Sequence, residues 1–278
     1  MALLFFKQFI MKIPDIKKLA LDAVTPNKTL GKSSQNSILG FWLAATMLLW
    51  FLGGSKLLPS PIEILVALKN IIVNKNFVGE LLISTTFCMK AMWYAIIVSF
   101  VVAYLSVLPV FRPICAFVAK ARFLSTAGLT FFVGEITPDS GVKKLVMLTF
   151  VITVFLVTSM LSVVMEVKKD DLDYARTLRM NEWKAVWAVI IRGKIDMMFE
   201  VIRQNFAIAW MMLAMAESLC RSEGGVGILL TDTDKHFKLD EVFAIQLVIL
   251  CVGISFDWLL KQLRAWLFPY SVLKLERK

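Results

Sequence analysis

Few places in this 278-residue chain bring together side chains that could do chemistry. Residues 26–33, PNKTLGKS, nearly spell the phosphate-binding loop G-x-x-x-x-G-K-[ST], in which backbone N–H groups between a strand and a helix cradle phosphate. Pro26 stands where the first glycine belongs, and proline has no N–H to give. No apolar strand precedes it and a long apolar run follows, so no nucleotide site is expected. His236 is the only histidine. One imidazole without clustered thiols or carboxylates makes a poor metal site, and it reads as a solvated loop residue. Cys88, Cys115, Cys220 and Cys251 are far apart, mostly in apolar runs, and form no C-x-x-C pair, which indicates neither zinc nor a disulfide framework. H-E-x-x-H and G-x-S-x-G are absent. Glu217 and Asp257 are the clearest ionisable residues in the last two apolar runs, and each reads as standing alone near a helix end. An ionisable residue in a membrane segment carries a functional hypothesis, so Glu217 is a candidate for a solute pathway. Lys120 and Arg122 are candidates for drawing anions to it, although charges that fix membrane orientation are the heavier reading. No catalytic residue, metal or cofactor is expected. The chain reads as a pore-forming or scaffolding subunit whose energy comes from elsewhere.

The elements that must position these residues are apolar helices. The chain is 58% hydrophobic, with a mean hydropathy of +0.73, against about 45–50% apolar residues in soluble domains. The excess is gathered into runs long enough to cross lipid. Only helices and closed barrels satisfy their backbone there, and the ~10-residue alternation of a barrel strand is missing. The expected fold is therefore all-α and polytopic, with about six transmembrane helices at 37–54, 81–108, 114–136, 142–167, 197–219 and 241–263. The third is broken by Lys120, Arg122, Gly128 and Gly134, and should be bent or partly unwound at its start. Residues 55–80 read as a surface segment with a short helix, and 220–240 as a Gly-rich polar loop. Residues 1–36 form a basic, amphipathic extension suited to anionic lipid. A membrane domain should span 37–266, followed by a basic, aromatic tail at 267–278.

The net charge is +10. Nucleic acid would need a soluble basic face, and none is evident. Lys and Arg are retained on the cytoplasmic side of membrane proteins. Most of the 31 fall on one face if the N-terminus is inside, which places both termini and the segment 168–196 in the cytoplasm.

That segment interrupts the fourth and fifth apolar runs. Asp170, Asp171 and Asp173 suit the first turn of a short helix near 171–178. Asn181 suits the N-cap of a second, with Trp183, Val186, Trp187 and Ile190 at helical spacing. The pair would make an exposed knob at the membrane surface. On periodicity alone, a solvated loop with a basic stripe for lipid headgroups is an equal reading.

The stretch Asp173-Tyr174-Ala175-Arg176-Thr177-Leu178-Arg179 resembles the E-A-A-x-x-x-G signature of ABC importer permeases. Trp183, Val186 or Trp187, and Ile190 continue that pattern. LPSPIEILVAL, FRPI and AMAESLCRSEGGVGILL are similar to segments of the nitrate-, sulfonate-, taurine- and bicarbonate-type permeases, in the same order over roughly residues 57–265. The sequence departs from the family at Asp173, where the signature has Glu, at Tyr174 for Ala, at Arg179 for Gly, and at Ile191-Arg192 for Leu-Pro. Glycine is used where a positive φ or a close approach is needed, so Arg179 should either repack the turn or point into the ATPase groove.

The resemblance implies a type I importer permease fold like that of the maltose and methionine permeases. It implies a subunit that is not itself an enzyme, sits in the bacterial inner membrane and forms a homodimer. Its partners would be a cytoplasmic ABC ATPase, an extracytoplasmic solute-binding protein and the surrounding membrane lipid. Asp173, Tyr174, Ala175, Leu178, Arg179 and Trp183 would couple to the ATPase, and the solute would be a small oxyanion or sulfonate. The rivals are a secondary transporter, which would normally show repeated halves and intramembrane coupling acids, and a membrane scaffold that transports nothing.

Overall fold

The computed structural model describes Thr25 and residues 31–52, 59–74, 76–137, 139–221 and 224–269. The expected N-terminal amphipathic helix, most of PNKTLGKS and nearly all of the C-terminal tail lie outside the described residues. Among the described residues every regular element is helical.

Helix α1 (Lys32–Leu52) covers the first apolar run. Beyond it, Ser60 and Glu63 close the start of α2 (Pro61–Asn74). The Ser60 N–H donates to Glu63 Oε2 at 2.8 Å, and the Glu63 N–H donates to Ser60 Oγ at 3.3 Å. This reciprocal cap satisfies two donors that a helix start would otherwise leave open, with Pro61 at the first helical position, where its missing N–H costs nothing. Ile64, Ala67 and Ile71 give α2 one buried face.

Among the described residues three helices are long and apolar enough to cross a membrane: α3 (Phe77–Leu105), α6 (Ser140–Met165) and α11 (Leu239–Leu267). Between α3 and α6 lie α4 (Arg112–Lys120), a 3₁₀ turn (Ala121–Phe123) and α5 (Thr126–Ile136). These two halves of the expected third crossing meet at 113°. The segment is therefore a broken span or a re-entrant loop rather than one straight helix. Its break falls at extended Leu124 and Ser125, directly after Lys120 and Arg122. Helix α7 (Lys169–Thr177) follows α6. A single turn, α8 (Glu182–Ala185), then runs on as a π-helix (Val186–Arg192). The fifth apolar run is α9 (Ile195–Leu219).

The expected polar loop after α9 needs correction. Residues Val226–Lys235 form a ten-residue helix, α10. Its glycines mark the entry to the helix, and Ile228, Leu229 and Leu230 continue it.

Helix α6 is the hub. It packs against α3, α9, α4 and α5, while α9 also packs on α10, α11 and α3. The most apolar stretch of α6 is 61% buried and that of α11 only 11%, so α11 presents most of its apolar surface outward. The α3–α6 contact is built on small residues. Ser84, Cys88, Ala95, Ser99 and Ala103 are buried along one side of α3, and small side chains let membrane helices approach closely. Across this seam Ser99 Oγ donates to the Thr153 carbonyl at 3.3 Å.

Candidate functional site

Two arrangements stand out: an exposed knob made by α7, α8 and the π-helix, and a buried polar cluster where α3, α6, α9 and α10 meet.

In the knob, α7 ends in a left-handed turn. The Arg179 N–H donates to the Arg176 carbonyl at 2.9 Å and the Met180 N–H to the Ala175 carbonyl at 3.3 Å. Arg179 itself has φ 57°. This is the Schellman closure of a helix, whose left-handed position glycine normally fills because it has no Cβ to clash. Arg179 keeps the turn, so the substitution has not repacked it. An L-residue held there stores about 1 kcal/mol of strain. Arg179→Gly is therefore expected to steady the turn by ~1 kcal/mol, seen as several-fold slower hydrogen exchange at the Met180 amide. Unchanged or faster exchange would count against that strain.

Arg176 pins the turn from the side. Its Nη1 donates to Asp173 Oδ1 at 2.7 Å, and its Nε and Nη2 donate to the two Glu182 oxygens at 2.9 and 3.2 Å. Glu182 first, and Asp173 after it, push the guanidinium pKa up from its ordinary value. Asp173, itself exposed, thus braces the knob through Arg176. Ala175 is only 3% exposed, and α7 packs on both α8 and the π-helix. Tyr174, Leu178 and Trp183 are exposed, at 68%, 55% and 67%, and so is Arg179. Of the six residues expected to dock an ATPase, five face outward and the small one, Ala175, faces in. Asn181 occupies the N-cap of α8, as its type suggests, with no side-chain cap bond. Lys120 and Arg122 are exposed at the α4–α5 break, the Arg122 guanidinium lying 5.0 Å from the Phe123 ring centre.

The second arrangement corrects the reading of Glu217 and Asp257 as solitary acids. Glu217 is wholly buried, and its Oε1 lies 3.3 Å from the equally buried Lys144 Nζ. Ser84 Oγ donates to the same oxygen at 2.8 Å. Lys144 also donates to the Gly224 carbonyl at 3.2 Å and sits 4.3 Å from the Phe87 ring centre.

The first N–H groups of α10 point into this cluster. Gly225 N–H donates to Glu80 Oε2, Val226 N–H to Ser84 Oγ at 2.8 Å, and Gly227 N–H to Glu217 Oε2 at 2.8 Å. A helix start leaves such donors open and carries partial positive charge. Here side chains from two other helices supply the acceptors, so α10 is capped by tertiary structure. Two glycines make this possible. Gly225 has φ 126°, and a Cβ there would lie 2.3 Å from Glu217 Oε1. A Cβ on Gly227 would lie 2.3 Å from the Ala214 carbonyl oxygen, so only glycine lets α10 rest against α9.

Asp257 is likewise paired. It accepts from Arg203 Nη1, while Arg203 and Arg264 both grip Glu200, Arg203 Nη2 at 2.6 Å and Arg264 Nη1 at 2.5 Å. This network clamps α9 to α11. His236 is exposed at the end of α10, as expected of a solvated residue. Among the described residues no group of three His, Cys, Asp or Glu side chains is placed to hold a metal ion.

The sequence contained a signal for the buried cluster: Lys144 as one of two lysines opening an apolar run, and Glu80 and Ser84 four apart on α3. Only the fold shows that these signals converge on the GGVG turn.

Compared with curated proteins, the chain has no significant match. It does match the family model described as "Binding-protein-dependent transport system inner membrane component" over residues 41–268, which include α2 to α11, the knob and the buried cluster. Helices of membrane-spanning length and composition fit that description, and the chain belongs to this family, the inner-membrane permease subunits of ABC importers.

Proposed function

We propose that the chain forms the translocation pathway of an ATP-driven importer and couples it to cytoplasmic ATPase subunits through the knob at 171–191. Family membership implies a solute-binding protein and an ATPase as partners. The observation that best supports coupling is the knob itself. Its turn keeps the left-handed geometry at the position where the family signature has glycine, with Arg179 in its place, and Tyr174, Leu178, Arg179 and Trp183 stand outward around it. These side chains, together with exposed Asp173 and with Ala175 beneath them, form the docking surface.

The membrane domain runs from 37 to 266, with basic segments at 1–36 and 267–278. Both termini and the knob are cytoplasmic, because that orientation keeps most Lys and Arg inside. Two copies pair around the pathway, and closure of the ATPase dimer draws the two knobs together, rocking the helices between inward- and outward-open states. The solute is a small oxyanion or sulfonate of the kind carried by the permeases that the sequence resembles. Lys120 and Arg122, at the break between α4 and α5, are placed to draw it. Glu217, being enclosed, serves the pathway by holding α10 in place.

Affinity purification of the chain from its own membranes tests this reading. An ATPase with a phosphate-binding loop should co-purify with the intact chain and be lost when 171–191 is deleted. Uptake by vesicles containing the chain alone, driven by an ion gradient, would instead make it a secondary transporter.

A further inference from the structure

A groove of about 530 Å³ lies between the C-terminal end of α3 and the knob. Phe100, Tyr104 and Leu108 form one wall, and Trp183, Trp187 and Ile191 the other. Its size falls in the ~300–1,000 Å³ range of ligand sites. Its lining offers almost nothing polar: a phenol and two indole N–H groups. A small hydrophilic solute would find no set of convergent polar groups to orient it there, whereas a hydrocarbon chain would need none.

The location is that of a lipid boundary. Helix α3 is a membrane-spanning helix that ends at this groove, and Trp and Tyr favour the depth where hydrocarbon meets headgroups. The second wall comes from a stretch that sets Trp183, Trp187 and Ile191 four residues apart, beside the bases Lys184 and Arg192. That is the pattern of a segment lying in the interface.

The charge beside the lining is one-sided. Lys184 and Arg192 are exposed and directly follow the lining residues Trp183 and Ile191 in the sequence, and neither has an ion-pair partner among the described residues. The nearby acid Glu182 is already committed to Arg176, and Asp196 is buried.

We propose that this groove binds one acyl chain of an anionic phospholipid, whose headgroup rests on Lys184 and Arg192. The chain fills the apolar walls and the phosphate meets the two unpaired bases. The site lies between a membrane-spanning helix and the knob, and it does not depend on the knob's role toward an ATPase.

Tryptophan quenching by chain-brominated lipid tests it. The full-length protein is placed in bilayers of phosphatidylcholine and phosphatidylglycerol, with bromine on the chains of one lipid or the other. The difference between the native protein and the Trp183→Phe/Trp187→Phe variant isolates the groove's signal. Brominated phosphatidylglycerol should quench that signal several-fold more than the same fraction of brominated phosphatidylcholine. Lys184→Gln/Arg192→Gln should bring quenching by the two lipids close to equality, since each base near an anionic surface contributes about fivefold. Val186→Trp, which fills the groove without changing its charge, should abolish the preference. Equal quenching by both lipids in the native protein would overturn the proposal, as would a preference that survives Val186→Trp.

Discussion

Glu217→Ala is expected to be the most damaging single substitution in this protein, costing about 3–5 kcal/mol of stability. Glu217 and Lys144 are both fully buried and face each other at 3.3 Å. Removing one partner strands a charge in an apolar interior, and that stranded charge, rather than the lost attraction, is the main cost. The same change leaves Ser84 without its acceptor and opens the Gly227 N–H at the start of α10. Each buried donor left unpaired adds about 1–3 kcal/mol. Glu217→Gln separates these effects in part, because its one carbonyl oxygen can still accept from the Gly227 N–H and its NH2 can donate to Ser84 Oγ, while Lys144 is left uncompensated. Lys144→Met combined with Glu217→Gln removes both charges and should recover a substantial part of the loss. Thermal unfolding of the detergent-purified single and double variants gives the coupling directly. Additive losses in the double variant would show that the two side chains do not act as a pair.

Ala175→Arg is expected to leave the protein folded and to remove ATPase stimulation and uptake together. Of the residues proposed to dock, Ala175 alone faces inward, beneath a turn whose outer side chains are exposed. A large side chain there must lift α7 away from α8 and the π-helix, at a local cost of about 1–3 kcal/mol. Among the described residues the main packing of α7 is on α8 and the π-helix, so the cost is expected to stay within the knob. Coupling free energies of about 1–3 kcal/mol correspond to 5–150-fold changes, which is the loss expected in solute-dependent ATP hydrolysis of the reconstituted importer. Leu178→Ser, on the outer face, should weaken docking without disturbing the turn. Normal coupling in Ala175→Arg would remove the knob from the mechanism.

Much of the helical frame can be read from apolar run length. The expected crossings at 81–108, 142–167, 197–219 and 241–263 correspond to Phe77–Leu105, Ser140–Met165, Ile195–Leu219 and Leu239–Leu267. The boundary at Asn181 and the helix over the acidic cluster are local features and appear where their residue types place them. Pairing is not local. Ser84 and Glu217 are 133 positions apart, and neither sequence context shows that the other side chain waits across the helix interface. Helix α10 escapes a linear reading for the same reason. Gly224 and Gly225 look like a loop because the caps that make a helix start there lie on α3 and α9. The interruptions at Lys120, Arg122 and Gly128 announce a bend, but not its 113° angle or the packing of both halves on α6. At Arg179 two outcomes are open in the sequence, and the backbone takes the glycine-like one.

The most direct test of the knob's role is a photo-cross-link. A benzophenone side chain is placed at Tyr174 or Leu178, both exposed, in the importer assembled with its ATPase in lipid vesicles. Both positions should cross-link to the ATPase subunit, with a yield that changes between the nucleotide-free and ATP-bound states, while a probe at exposed Trp258 on α11 should not. Cross-links from Tyr174 and Leu178 only to lipid, in an importer that still hydrolyses ATP in response to solute, would contradict the account.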